Sequence, residues 1–347
     1  MLGQVRSSHL THAADAAVRT ESASGGSASA LLINELEQGR IDGAIVCVTE
    51  IEDGKVRAHF RLARTRVEIL AARGSKYVET RFLKEVLPLL RDNEGRFAVC
   101  GLPCDITNLR RWEQKEPELS RRVALRLAFL CGHNSRAELI DGVTEKLAKH
   151  APGQTLTEYK FRTGHWRGQL EAKFGDVAVQ KPFSYFSDYR NCFFFAERKC
   201  LACIDHFGYD ADISLGDVWL FSLKDDPVKH TGVLVRTPAG AAAFEAAVSS
   251  GAVVSKEVSR ELILDGQARI APTHFDVSAR ASAARVFGVK LPVERPRPVA
   301  PHKYLSALVA IANMRWSEGP HWRAVFAIPR PLLRTYLFVK KGLESIK

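Results

Sequence analysis

The 347-residue sequence contains no run of eighteen or more uncharged apolar residues, so it offers no candidate membrane-spanning segment. Its start, MLGQVRSSHLTHAADAAVRTES, lacks the apolar stretch of a secretory signal, and the expectation is a cytoplasmic protein. No internal repeat is present, nor any low-complexity tract beyond the Ser/Ala/Gly-rich start. A disulfide framework is also missing. Seven cysteines, an odd number without an export signal, fit free thiols or metal ligands instead. Neither a recognition helix nor an aromatic RNA-binding motif occurs, so nucleic acid is not an expected partner. The formal charge of +11 still favours acidic partners, such as a nucleotide cofactor, an acidic electron carrier or anionic lipid.

With 46% apolar residues the chain can bury a large core. Residues 1–20 read as a flexible leader. After it, ASALLINELEQG has helical spacing and stops at Gly39, and Ile41–Val48 is a short apolar run that reads as a buried strand. Strand and helix patterns then alternate: strands at 56–63, 96–100 and 123–130, helices at 81–91, from about Asp105, and at 136–150. From about Pro152 shorter alternating strands take over. The fold class expected is α/β with an α+β second half: a central mixed sheet with flanking helices, over residues 21–291. The first half runs over 21–150 and the second over 151–291. Residues 292–347 read as a proline-rich link and an amphipathic, basic helical tail that offers a peripheral membrane contact.

Cys200-Leu201-Ala202-Cys203 is a C-x-x-C, a spacing that lets two thiolates from one turn bind the same metal centre. Cys104 and Cys131 follow predicted strands, and the carboxyl ends of strands line the crevice of an open α/β sheet. Both can therefore converge on the C-x-x-C turn. Spacing leaves a four-iron cluster, a tetrahedral zinc and a redox dithiol all open. Cys47 and Cys100, inside predicted strands, read as core, and Cys192 as packing among aromatics.

Six motifs in order, SASGGSASALL with IDGAIV, GSKY, GLPCDITNLR, LAFLCGHN, FRTGHWRG and KCLACIDHFGYDADISLGDVW, span about Glu21 to Leu220. In these the chain resembles the beta subunits of coenzyme F420 hydrogenases and dehydrogenases, a family that includes 7-hydroxymethyl chlorophyll a reductase. The resemblance implies a flavoprotein oxidoreductase with FAD and a [4Fe–4S] cluster held by Cys104, Cys131, Cys200 and Cys203. It departs at Leu102, where a threonine is common. No ferredoxin-like segment with further cysteine motifs precedes Ser22, so electrons are expected from a separate protein, ferredoxin-like or a partner subunit. A small-molecule hydride acceptor, coenzyme F420 among the candidates, completes the partner set.

Ser24, Gly25, Gly26 and Ser27 precede a helix and have the makings of a phosphate cradle for FAD, with a plain N-cap as the alternative. Ser75 and Lys76 suit a second contact to the nucleotide or the flavin ring. Arg162 suits an anionic cofactor or substrate. Candidate catalytic residues are His165, Asp217 and Lys76, with His133 a further histidine in reach of such a role. The readings that compete with an enzyme are a zinc-stabilised, non-catalytic scaffold and an accessory protein of polymer synthesis.

Overall fold

A computed structural model describes residues 1–268, 275–293 and 296–346; Glu294 and Arg295 of the proline-rich link lie outside the described residues. Eleven strands are present among the described residues: β1 (Ser7–Ala13), β2 (Gly43–Glu52), β3 (Lys55–Ala63), β4 (Phe97–Gly101), β5 (Val123–Phe129), β6 (Leu156–Thr163), β7 (Gln169–Phe174), β8 (Val177–Pro182), β9 (Ile213–Asp217), β10 (Thr231–Val235) and β11 (Val253–Glu257). Eight of them form one mixed sheet in the order β11-β1-β10-β9-β5-β4-β2-β3, and β6-β7-β8 form a small antiparallel sheet. The strands β2, β4, β5 and β9 run parallel, so their carboxyl ends share one edge.

Among the described residues the α-helices, in chain order, are α1 (Ala16–Thr20), α2 (Ser27–Glu37), α3 (Arg66–Ala71), α4 (Phe82–Arg91), α5 (Pro103–Lys115), α6 (Pro117–Arg122), α7 (Ala137–Ala148), α8 (Ser184–Asn191), α9 (Pro238–Ser249), α10 (Arg260–Gly266), α11 (Val277–Ala284), α12 (Pro301–Glu318) and α13 (Arg330–Ser345). The two-residue period of β4 sorts them into layers. Ala98 and Cys100 join Leu31, Ile33, Ala243 and Phe244 of α2 and α9 on one face. Phe97 and Val99 join Phe82, Val86, Leu90 and Leu109 of α4 and α5 on the other. Because both faces of β4 are covered, all five of its residues are buried, which is why that segment reads as one unbroken apolar run.

Residues 1–20, expected to be a flexible leader, instead supply β1, which pairs with β10 on one side and β11 on the other. The sequence SSHLTHA carries little apolar signal. It becomes an internal strand because valine-rich partners more than two hundred residues later close on it. The small sheet packs with α7, α8 and α13 around Phe161, Phe174, Phe186 and Leu333. A further cluster joins α11 and α12 to Leu201 of the C-x-x-C turn through Ala279, Ala283 and Ile311.

Candidate functional site

Cys104 follows the end of β4 and occupies the first turn of the 13-residue α5, where the helix field favours a thiolate. Cys131 lies two residues beyond β5. Its loop is zipped to the chain leading into the C-x-x-C: Arg136 N–H donates to Phe195 O at 2.8 Å and Glu197 N–H to Asn134 O at 3.1 Å. Asn134 N–H then donates to the Cys200 sulfur at 3.3 Å. Arg280 of α11, buried, holds the far side of the turn by donating to Leu201 O at 2.7 Å and Cys203 O at 3.0 Å.

These contacts gather Cys104, Cys131, Cys200 and Cys203 within electrostatic reach of one another. Burial pushes the Cys131 thiol well up, and Cys200, Cys104 and Cys203 add to the shift. Burial likewise raises Cys104, with Asp105, Cys203 and Cys200 acting in the same direction. Cys200 is pushed up to about 11 by burial, against the pull of the Asn134 N–H. Burial and mutual repulsion thus keep all four as neutral thiols in the absence of a nearby cation. Among the described residues no three of these sulfurs lie within 4.8 Å of one another.

Beside the thiols, along the carboxyl edge of the parallel strands, lies an open cavity of about 270 Å³. Cys131, His133 and Asn134 line it, as do Ser24, Gly26 and the first turn of α2, together with Ser75, Lys76 and Asp217. The N-cap of α2 is Gly26, at φ +78°, which brings no side chain to cap the helix. The first N–H groups of α2, which like those of any helix have no intrahelical acceptor, thus lack a side-chain cap as well, and Ser27, Ala28 and Ser29 line the cavity. Such a helix end suits a phosphate. Ser24 is held by Thr231, with hydroxyl oxygens 2.9 Å apart, and Ser27 by Thr11 at 2.7 Å.

Two family models cover the chain from β1 to α10. One, described as coenzyme F420 hydrogenase/dehydrogenase, beta subunit N-term, matches residues 9–87, and the other, for the C terminus of the same beta subunit, matches residues 94–261. The chain belongs to the coenzyme F420 hydrogenase/dehydrogenase beta subunit family. It is 26% identical over 245 residues to coenzyme F420 hydrogenase subunit beta of Methanosarcina barkeri, covering 67% of this chain and 76% of that protein. Its fold is similar to a chain of the xenon-derivatised F420-reducing [NiFe] hydrogenase complex of M. barkeri. The TM-score is 0.64 at 22% identity, over 85% of this chain and 97% of that one.

In this family member several predicted site residues take positions that their motifs alone do not convey. Gly25 faces the sheet rather than the cavity: a Cβ there would lie 2.6 Å from Thr11 O and 2.9 Å from Lys229 O. Arg162, expected to meet an anion, already pairs with Asp217 at 2.5 Å and donates to Ala23 O and Trp166 O, both at 3.1 Å. Its cation also lies 4.8 Å over the Trp219 ring. It braces the Ser/Gly loop from behind and does not line the cavity. His165, expected to be catalytic, sits in a separate small recess with Trp166 and Trp219, its Nε2 2.8 Å from Lys224 O. Lys76 does line the cavity, but its ammonium caps the end of α3, donating to Ala72 O, Arg73 O at 3.0 Å and Gly74 O at 3.1 Å. Burial lowers it to about 8. Asp217 ends β9 on the cavity wall, where its carboxylate holds Arg162.

Cys192 is fully buried among Phe186, Tyr189 and Phe194, as its aromatic setting suggested. Cys47 and Cys100 pack in the core and reach the cavity wall, both pushed up to about 12 by burial. Sequence reading missed Thr231, Asp105 and Arg280. Thr231 and Arg280 act on loops about 207 and 77 residues away, so no local motif marks them. Asp105, next to Cys104, is a buried carboxyl raised to about 6 by burial, and the spacing GLPCD is its one sequence signal.

Proposed function

We infer that this chain is an iron–sulfur flavoprotein subunit, with a [4Fe–4S] cluster on Cys104, Cys131, Cys200 and Cys203 and FAD in the adjoining cavity. The observation that carries the reading is the double position of Cys131, a member of the thiol group and a wall of the cavity. In a cubane each of the four thiolates would bind a different iron. When bound, the cluster supplies single electrons and the flavin exchanges them in pairs as hydride with a small molecule. Coenzyme F420 is the acceptor that the relative from M. barkeri favours, and a separate protein is the electron source, as a partner subunit would be in a hydrogenase complex.

The protein's own residues bind and orient. The open end of α2 takes the pyrophosphate, and Thr231 and Thr11 hold the two serines whose loop sets that end in place. Arg162 and Asp217 fix the loop against β9, so the cavity keeps its width. Arg280 and Asn134 hold the C-x-x-C turn toward Cys131. Lys76, carrying positive charge at neutral pH, favours an anionic reduced cofactor along its wall. The reading is tested by adding reduced methyl viologen, a one-electron donor, to anaerobic protein supplied with FAD. Bleaching of bound flavin that slows at least tenfold in Cys131→Ser supports it. Flavin that fails to bind, or that bleaches at the same rate in the variant, refutes it.

A further inference from the structure

Positive charge is concentrated at one end of the sequence. Residues 292–347 hold ten Lys/Arg against three Asp/Glu, a net +7 within a chain total of +11. The same segment carries six exposed large apolar side chains among the described residues: Leu305, Trp316, Leu332, Phe338, Val339 and Ile346. Three of these lie on α13, a helix with two different apolar faces. Its inner face packs on the protein through Leu333 and Leu337. Lys340 on that same side is buried, paired with Glu344 and set 4.9 Å over the Phe193 ring. Packing on its own domain thus accounts for one side of the helix only.

The outer side is not polar. Leu332 is 60% exposed, Val339 57% and Phe338 78%. Leu332 and Val339 stand two turns apart on one line, and with Thr335, Gly342 and Phe338 they fill an arc of roughly 120°. Arg334 and Lys341 border that arc. Arg334 shares Asp188 with Arg330, and Lys341 pairs with Glu344, so both stay within reach of the helix surface. Among the described residues no helix is long and apolar enough to cross a membrane. A helix with an apolar outer arc and a cationic border instead has the pattern that lies along a lipid interface.

We propose that the outer face of α13 seats this protein on an anionic lipid surface, with Leu332, Phe338 and Val339 entering the headgroup boundary and the tail's excess of Lys and Arg drawn to the lipid phosphates. A second copy of the chain is a poorer occupant, because it would set one basic tail against another. The proposal is independent of the cofactors, since none of these residues lines the cavity or touches the four cysteines.

The test is flotation of the full chain with vesicles of phosphatidylcholine containing about one-third phosphatidylserine, beside vesicles of phosphatidylcholine alone. The expected result is binding to the anionic vesicles that falls as salt is raised, with little binding to the neutral ones. The double variant Leu332→Glu, Phe338→Glu, altered at exposed positions, keeps its unfolding midpoint and binds at least about tenfold more weakly. Three results would overturn the proposal: no flotation with anionic vesicles, equal flotation of the double variant, or no vesicle binding alongside a concentration-dependent dimer that the double variant abolishes.

Discussion

Replacing Gly25 by alanine separates two explanations of the Ser/Gly loop. The new methyl group would sit 2.6 Å from Thr11 O, 2.9 Å from Lys229 O and 3.0 Å from Thr231 N, all backbone atoms, where ordinary contact begins near 3.4 Å. Thr11 and Thr231 are partners in the β1–β10 ladder, so neither can retreat without parting those strands. Gly25 itself donates its N–H to Thr231 Oγ1 at 3.0 Å and accepts from Ala13 N–H at 2.7 Å, and these bonds hold it in the crowded place. Overpacking of this kind costs about 1–3 kcal/mol, and a strained or lost hydrogen bond adds about 1 kcal/mol. A loss of about 3 kcal/mol lowers Tm by roughly 6 °C in a chain of this size, taking the smaller slope that applies to long chains. The assay is urea and thermal unfolding of cofactor-free protein. Unchanged stability with weakened FAD binding would refute the reasoning, because it would mean that the glycine makes room for a ligand rather than for the sheet.

Other perturbations have equally definite outcomes. Asp217→Asn leaves the buried Arg162 cation with backbone carbonyls, the Tyr77 hydroxyl and ring partners, and should cost about 2 kcal/mol, below the usual range for breaking a buried pair because Asp217 is partly exposed. A double-mutant cycle with Arg162→Met should give a coupling of at least about 1 kcal/mol, and additive effects would show the pair to be idle. Lys76 falls from an ordinary 10.5 to about 8 through burial, so between those pH values the unfolded chain holds a proton that the folded chain has released. The stability of the natural protein relative to Lys76→Met should therefore rise from about pH 8 toward 10.5 and stay level below pH 8; a level difference throughout contradicts the burial of that ammonium. Arg280→Met removes the donors to Leu201 O and Cys203 O, and iron extraction by a chelator should run several-fold faster. Extraction at the natural rate would show that the clamp does not hold the turn.

Much of this architecture was legible in the sequence where signals are local. The run FAVCG, the turn GLPC and the pair C-x-x-C each announce an element through neighbouring residues, and the three cysteine-bearing segments do meet at the carboxyl edge of the sheet. Legibility fails where partners are distant. Residues 7–13 look like a polar leader because the strands that flank them lie at 231–235 and 253–257. Arg162 and His165 share one motif, yet the turn at Gly164 and Trp166, both at positive φ, separates their side chains. The first turns behind the loop onto Asp217, and the second points away to Lys224 O. Gly25 and Gly26 look interchangeable as letters, although Gly26 serves a left-handed N-cap and Gly25 serves a crowded strand. In each case the deciding atoms belong to residues that no local pattern contains.

Iron, sulfide and flavin counted on one anaerobically purified sample, in the natural chain and in single cysteine variants, bear most directly on the claim that Cys104, Cys131, Cys200 and Cys203 surround one inorganic centre beside a flavin. The expected content is about four irons, four sulfides and one FAD per chain. Iron should be lost or strongly reduced in Cys104→Ser and Cys131→Ser, and retained in Cys192→Ala. A colourless preparation holding zinc, or iron that survives both serine substitutions, would contradict it.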